Sequence, residues 1–149
     1  MLLRFAVTNH RSLRDRQELS MVASSLDDPQ DGLIACRHVP GGKLLPSVVV
    51  YGANASGKSN LIDAMVFLQV MMYGYHVLMP SYKGIPRSPF AFLPTGLVTN
   101  TKIEIDFVID DIRYYYGFET SDNEVTGEWL YAFPGSRRQM LFERARKKF

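Results

Sequence analysis

Residues 52–59 read Gly-Ala-Asn-Ala-Ser-Gly-Lys-Ser and match G-x-x-x-x-G-K-[ST], the pattern of a phosphate-binding P-loop. Gly52 and Gly57 permit backbone angles closed to other residues and let the chain approach an anion closely. We expect N–H groups of the loop to form an anion nest, and the Lys58 ammonium to meet the β- and γ-phosphates of ATP as the catalytic cation. The Ser59 hydroxyl is the predicted Mg²⁺ ligand. The predicted nucleotide-binding residues here are Gly52, Ala53, Asn54, Ala55, Ser56, Gly57, Lys58, Ser59 and Asn60.

The segments on either side of this loop favour a true phosphate site over a plain turn. Residues 48–51, Val-Val-Val-Tyr, form a continuous apolar run that predicts a strand buried on both faces, as in a parallel sheet. A helix is predicted from Lys58 to about Tyr73, with Gly74 marking its end. A strand, a glycine-rich loop and a helix in this order place the positive end of the helix dipole at the anion.

The remaining segments predict mostly antiparallel strands. Residues 3–7 alternate apolar and polar side chains, and residues 17–23 form a second candidate strand. Residues 102–109 and 112–120 predict a hairpin, and residues 125–133 a further strand. The predicted fold class is α/β, a P-loop lobe with a parallel P-loop strand and helix plus an antiparallel β-subdomain. We expect one partial domain over residues 1–149, in which residues 1–79 form the P-loop core and residues 80–149 a Pro-rich excursion, β-hairpins and a basic tail.

Hydrolysis of ATP needs a second acidic site that holds Mg²⁺ and orients water, and only Asp110-Asp111 is a candidate. In one interpretation Asp110 is the metal partner and Asp111 the base. In the other, the pair is a hairpin turn. The immediate return into an apolar strand favours the turn, so we expect the isolated chain to bind nucleotide and hydrolyse it poorly.

Composition excludes several other classes of protein. The net charge of the 149 residues is +2, and a single cysteine, Cys36, excludes an internal disulfide framework and favours a reducing cytoplasm. The apolar run at residues 64–79 is short for a membrane span, so we expect no membrane partner. Residues 137–149 carry six basic side chains and one acidic one, and could meet phosphate or form a solvated helix end.

Several segments resemble the N-terminal part of ABC-type ATPase heads of the RecF, SMC and overcoming-lysogenization-defect group. The chain is most similar to bacterial AAA family ATPases related to that group, many of them tied to phage defence or toxins. The strongest match is Tyr-Gly-Ala-Asn-Ala-Ser-Gly-Lys-Ser-Asn-Leu within residues 50–64. Residues 5–13 and 18–23 are similar to the opening of the family, and residues 114–118 and 128–130 to its later hairpins.

The resemblance implies that the turn at residues 9–12 borders the nucleotide, with Arg11 and Ser12 available to it. His10 departs from the family, which usually has Phe there. Members are longer and carry their signature and Walker B elements late. The resemblance therefore implies a homodimer, a missing C-terminal half or a partner subunit, with DNA as a possible ligand. The alternatives are a small P-loop phosphotransferase and a non-catalytic interaction module of a defence or repair complex.

Overall fold

A six-stranded antiparallel sheet dominates the structure. The computed structural model describes residues 1–24, 31–74, 81, 83–94, 99–135 and 137–145. Its strands are β1 (Leu2–Thr8), β2 (Gln17–Ser20), β3 (Ile34–Ala35), β4 (Lys43–Leu44), β5 (Thr101–Ile109), β6 (Ile112–Thr120), β7 (Val125–Phe133) and β8 (Gln139–Ala145). A 3₁₀ helix spans Pro40–Gly42, and the α-helix α1 spans Lys58–Tyr73. The sheet order is β2-β1-β5-β6-β7-β8, and β3 pairs with β4 separately.

The core lies between α1 and one face of this sheet. Phe5 on β1 lies opposite Ile105 on β5, and both belong to the face that α1 covers. Because side chains alternate across a strand, Val7 enters the same layer two residues after Phe5. From α1, Ala64, Phe67 and Leu68 pack into it. The pairing of β1 with β5 also joins the first residues of the chain to its second half in one sheet.

Helix α1 begins and ends where the sequence predicts. Gly57 precedes it in the left-handed region (φ 94°), and Gly74 (φ 85°) ends it with its N–H bonded to the Met71 carbonyl. The helix is apolar on two faces. Ala64 and Phe67 face the sheet, whereas Ile62 and Val66 on the opposite side are 60% and 50% exposed. A helix that is apolar all round is typical of one covered on both sides.

The predicted strand at residues 48–51 is wrong. These residues belong to neither sheet, and Val49 and Tyr51 are 82% and 90% exposed. All strand pairs in the described ranges are antiparallel, so the predicted parallel P-loop strand is wrong too. The physical reason is that a strand needs hydrogen-bonding neighbours, and β-branched composition alone does not supply them.

The antiparallel elements are confirmed, with one addition. The hairpin β5–β6, strand β7 and the N-terminal strands form as predicted, although β2 ends at Ser20. The segment read as a basic tail instead contributes β8, which pairs with β7. Its basic residues make local contacts. Arg144 bonds Glu128 at 2.7 Å, and the Arg138 guanidinium lies 4.6 Å from the Tyr131 ring centre. Residues 146–149 lie outside the described residues.

Candidate functional site

The P-loop forms a tight exposed bend that leads straight into α1. Ala55 (φ 62°) and Gly57 (φ 94°) both adopt left-handed backbone conformations, and α1 begins at the next residue, Lys58. The conformation at Gly57 is one that side chains disfavour, which explains why the pattern has glycine there. The bend therefore forms without any strand before it.

The Lys58 ammonium spans the loop. Its Nζ donates to the Gly52 carbonyl at 2.8 Å, to the Ala53 carbonyl at 2.6 Å and, at 3.5 Å, to Ser56 Oγ. An ammonium has three donors, so these contacts use its full capacity. They hold the two ends of the bend together and keep the cation at the loop. An incoming phosphate oxygen would exchange with one of these acceptors.

Several main-chain amides of the bend have no intramolecular acceptor. The Ser56 N–H bonds the Ala53 carbonyl at 3.3 Å, and the Asn60 N–H bonds the Gly57 carbonyl at 3.0 Å. Within the described part of the chain, no acceptor is found for the other amides of the loop and first turn, those of Asn54, Ala55, Gly57, Lys58 and Ser59. The first turn of α1 also has no side-chain cap and no acidic residue. Unpaired amides beside a lysine form the donor set that an anion requires.

The turn that follows β1 packs directly against this bend. Asn60 Nδ2 donates to Ser12 Oγ at 2.6 Å. A methyl group on Gly57 would lie 2.9 Å from Ser12 Oγ and 3.3 Å from Leu13 Cδ2. The structure thus places Ser12 beside the P-loop, where the Asn60 amide group donates a hydrogen bond to it.

Arg11 and His10 on this turn both bond Asp63 of α1. The distances to Asp63 Oδ2 are 2.5 Å from Arg11 Nε and 2.7 Å from His10 Nε2. Burial lowers the pKa of His10 below its ordinary value, against the opposing effect of Asp63. Desolvation alone would raise the pKa of Asp63, but the hydrogen bonds from Arg11 and His10 outweigh it and hold that pKa low. His10 is therefore neutral and Asp63 ionised near pH 7.

The sequence interpretation missed this carboxylate as a site residue, although a signal existed. Asn60 and Asp63 are three positions apart on α1 and therefore share a face. Both are polar, and both contact the turn after β1.

Asp110 and Asp111 form the turn of the β5–β6 hairpin, as predicted. Both have positive φ, 49° and 58°, which is the conformation of a type I′ turn. Arg37 and His38 hold Asp111 from the neighbouring segment, with Arg37 Nη2 2.5 Å from Asp111 Oδ2. The described residues contain no group of three or more potential metal-ligating side chains. The pair is thus a structural turn, in which Arg37 and His38 bind Asp111.

The comparisons with known proteins assign the family. Residues 47–149, about two thirds of the chain, match the family described as "AAA domain, putative AbiEii toxin, Type IV TA system". The chain belongs to this family, and with it to the nucleotide-binding P-loop domains. The comparison with curated proteins gave no match. Among the described residues, no helix has the length and apolar character needed to cross a membrane.

Proposed function

We propose that the chain is the Mg²⁺-ATP-binding lobe of an ABC-type ATPase head, related to the RecF, SMC and overcoming-lysogenization-defect group. The observation that carries this is the bend at residues 52–59, where Lys58 and several amides without a partner among the described residues lie together at the start of α1. The fit to the triphosphate rests on this donor set. Lys58 and the amides would bind the phosphates, while Arg11 and Ser12 would contact the nucleotide from the turn after β1.

Ser59 is the residue that would hold the magnesium ion. Its side chain is exposed on the first turn of α1, and Mg²⁺ commonly takes few protein ligands beside phosphate oxygens. The metal would supply charge neutralisation between the phosphates. Asp110 and Asp111 are committed to a turn, so we propose that hydrolysis requires acidic and signature elements from outside the described residues. A role in defence or toxin activity is supported by the family description alone.

The direct test is Lys58→Ala, assayed by titration of ATP with Mg²⁺. We expect the affinity for ATP to fall about 10- to 100-fold, because charged hydrogen bonds to phosphate are lost. Lys83→Ala, which removes an exposed lysine from the Pro-rich segment, is the matched control and should leave the affinity unchanged. Equal affinity in the wild type and Lys58→Ala would contradict the proposed role, and fast hydrolysis by the isolated chain would contradict the proposed need for completion.

We further propose that a second polypeptide layer completes this lobe, supplied by a partner subunit or by another part of a longer protein. The support is the exposed apolar surface that residues 48–51 and the face of α1 turned away from the sheet form. Val49 and Tyr51 are almost fully exposed, and Ile62, Val66 and Tyr73 lie on the uncovered side of the helix. Exposed apolar patches of this kind mark interaction surfaces. A strand added beside residues 48–51 would give them the neighbours they lack.

Substitution of this surface by charge should reduce self-association. We expect the double variant Val49→Asp/Tyr51→Asp to bind less apolar dye and to sediment as a smaller species than the wild type. Its melting temperature should change little, because both side chains are already solvated. Phe92→Asp is the control, since Phe92 is 86% exposed on a different segment. A wild type that is monomeric and binds no dye would argue against a covering layer.

A further inference from the structure

Asp63 connects α1 to Arg11, a cation on the turn after β1. It lies on the second turn of α1, five residues after Lys58, and its Oδ2 atom accepts hydrogen bonds from both Arg11 and His10. A carboxylate that accepts two hydrogen bonds is fixed in orientation, and so are its donors. With the Asn60–Ser12 bond, three hydrogen bonds join the turn to α1 among the described residues.

His10 fixes the carboxylate from the buried side. Its side chain is 2% exposed, and its ring stacks on Phe67 with centroids 5.6 Å apart and planes 21° from parallel. Ionised Asp63 can only accept, so Nε2 of the neutral imidazole carries the proton and donates it. Within the described residues Nδ1 has no hydrogen-bond partner, which is consistent with a ring held by packing and by one bond to Asp63.

Arg11 is held by one edge of its guanidinium and open on the other. Asp63 engages Nε, while 48% of the side chain remains exposed. Its backbone is also fixed, since the Arg11 N–H bonds the Ser88 carbonyl at 2.7 Å and φ is 48°. About half of the side chain is thus exposed on an ordered backbone. A guanidinium in a fixed orientation loses less freedom when it binds an anion than a mobile one does.

We propose that Asp63 is a positioning residue that, together with His10, holds the Arg11 guanidinium ready for the phosphates of the bound nucleotide. The inference rests on the proposed function. In the competing interpretation, Asp63 forms an ion pair with Arg11 and competes with phosphate for its guanidinium. The two interpretations predict opposite changes in ATP affinity when Asp63 loses its charge. Removing a negative charge beside a triphosphate site should raise affinity by simple electrostatics, whereas loss of positioning should lower it.

The test is a double-mutant cycle on ATP affinity with Asp63→Asn, Arg11→Ala and the double variant. We expect Asp63→Asn to weaken ATP binding about 2- to 10-fold, since Arg11 becomes mobile. In the Arg11→Ala background the same change should have no effect, which is an outcome that a general structural role of Asp63 would not produce. If Asp63→Asn does not fold, Asp63→Ser is the second variant, and it should also weaken ATP binding.

Three results separate the possibilities. Tighter ATP binding by Asp63→Asn, or equal weakening with and without Arg11, overturns the positioning role. A further outcome is that the wild type binds ATP, Lys58→Ala weakens this binding, and Asp63→Asn leaves it unchanged. In that case this inference fails while the proposed function stands. If the wild type shows no ATP binding, both fail. Melting curves of each variant confirm that the measured protein is folded.

Discussion

Gly57→Ala should reduce the affinity for ATP about as much as Lys58→Ala does. An alanine at φ 94° costs about 1–2 kcal/mol in backbone strain, and its methyl group would lie 2.9 Å from Ser12 Oγ. The strain is relieved if the bend leaves its left-handed conformation, and the close contact if Ser12 rotates and gives up its hydrogen bond from Asn60. A change in the bend moves Lys58 and the amides of the loop, and we expect the affinity for ATP to fall about 10- to 100-fold because charged hydrogen bonds to phosphate are lost. Titration with ATP and Mg²⁺ measures the loss.

Gly41→Ala separates the local effect from the general cost of a left-handed alanine. Gly41 has φ 74°, and no atom lies within 4 Å of the position its methyl group would take. This variant should lose a similar increment of stability in urea denaturation and keep its ATP affinity. If Gly57→Ala bound ATP as tightly as Gly41→Ala, the observed shape of the bend would not be the binding conformation.

Phe118→Ala should cause the largest loss of stability, about 3–5 kcal/mol. Phe118 lies on β6 with 1% of its surface exposed, in edge-to-face contact with Phe67 of α1 at 5.8 Å between ring centres. Its removal leaves a cavity where the helix that carries the P-loop meets the sheet. Because a domain of this kind is stable by only about 5–15 kcal/mol, a large part of the folding free energy would be lost. Urea denaturation followed by circular dichroism measures the change.

Phe92→Ala is the matched control for this loss. The Phe92 side chain is 86% exposed and contacts Phe90 at 5.8 Å between ring centres. We expect its removal to change the free energy of unfolding by less than about 1 kcal/mol. Similar losses for the two variants would mean that the contact between α1 and the sheet is not the main core of the protein.

The P-loop illustrates what local sequence can establish. Its pattern encodes a backbone conformation through Gly57, a helix start at Lys58 and a set of donors, and all of these depend on residues close in the chain. The hairpin turn at Asp110-Asp111 belongs to the same class, since two adjacent residues adopt the turn conformation themselves. Such features were predictable because no distant partner is needed to form them.

The segment at residues 48–51 shows the limit of this reasoning. Its composition predicts a buried strand, but burial and pairing depend on neighbours from elsewhere, and in the described residues the segment has neither. Strand β8 shows the reverse case. The six basic side chains of residues 137–149 indicate a phosphate contact or a solvated helix end, yet Gln139–Ala145 pairs with β7, and Arg144 lies opposite Glu128.

The sequence by itself determined the P-loop bend, the extent of α1 and the alternating strands, because short-range backbone preferences and periodicity set them. Only the tertiary structure decided that Asp63 meets both Arg11 and His10, that Ser12 rests on Gly57, and that one face of α1 stays open. These contacts join residues roughly fifty positions apart in the chain. They exist because β1 and α1 pack on each other, which no local pattern specifies.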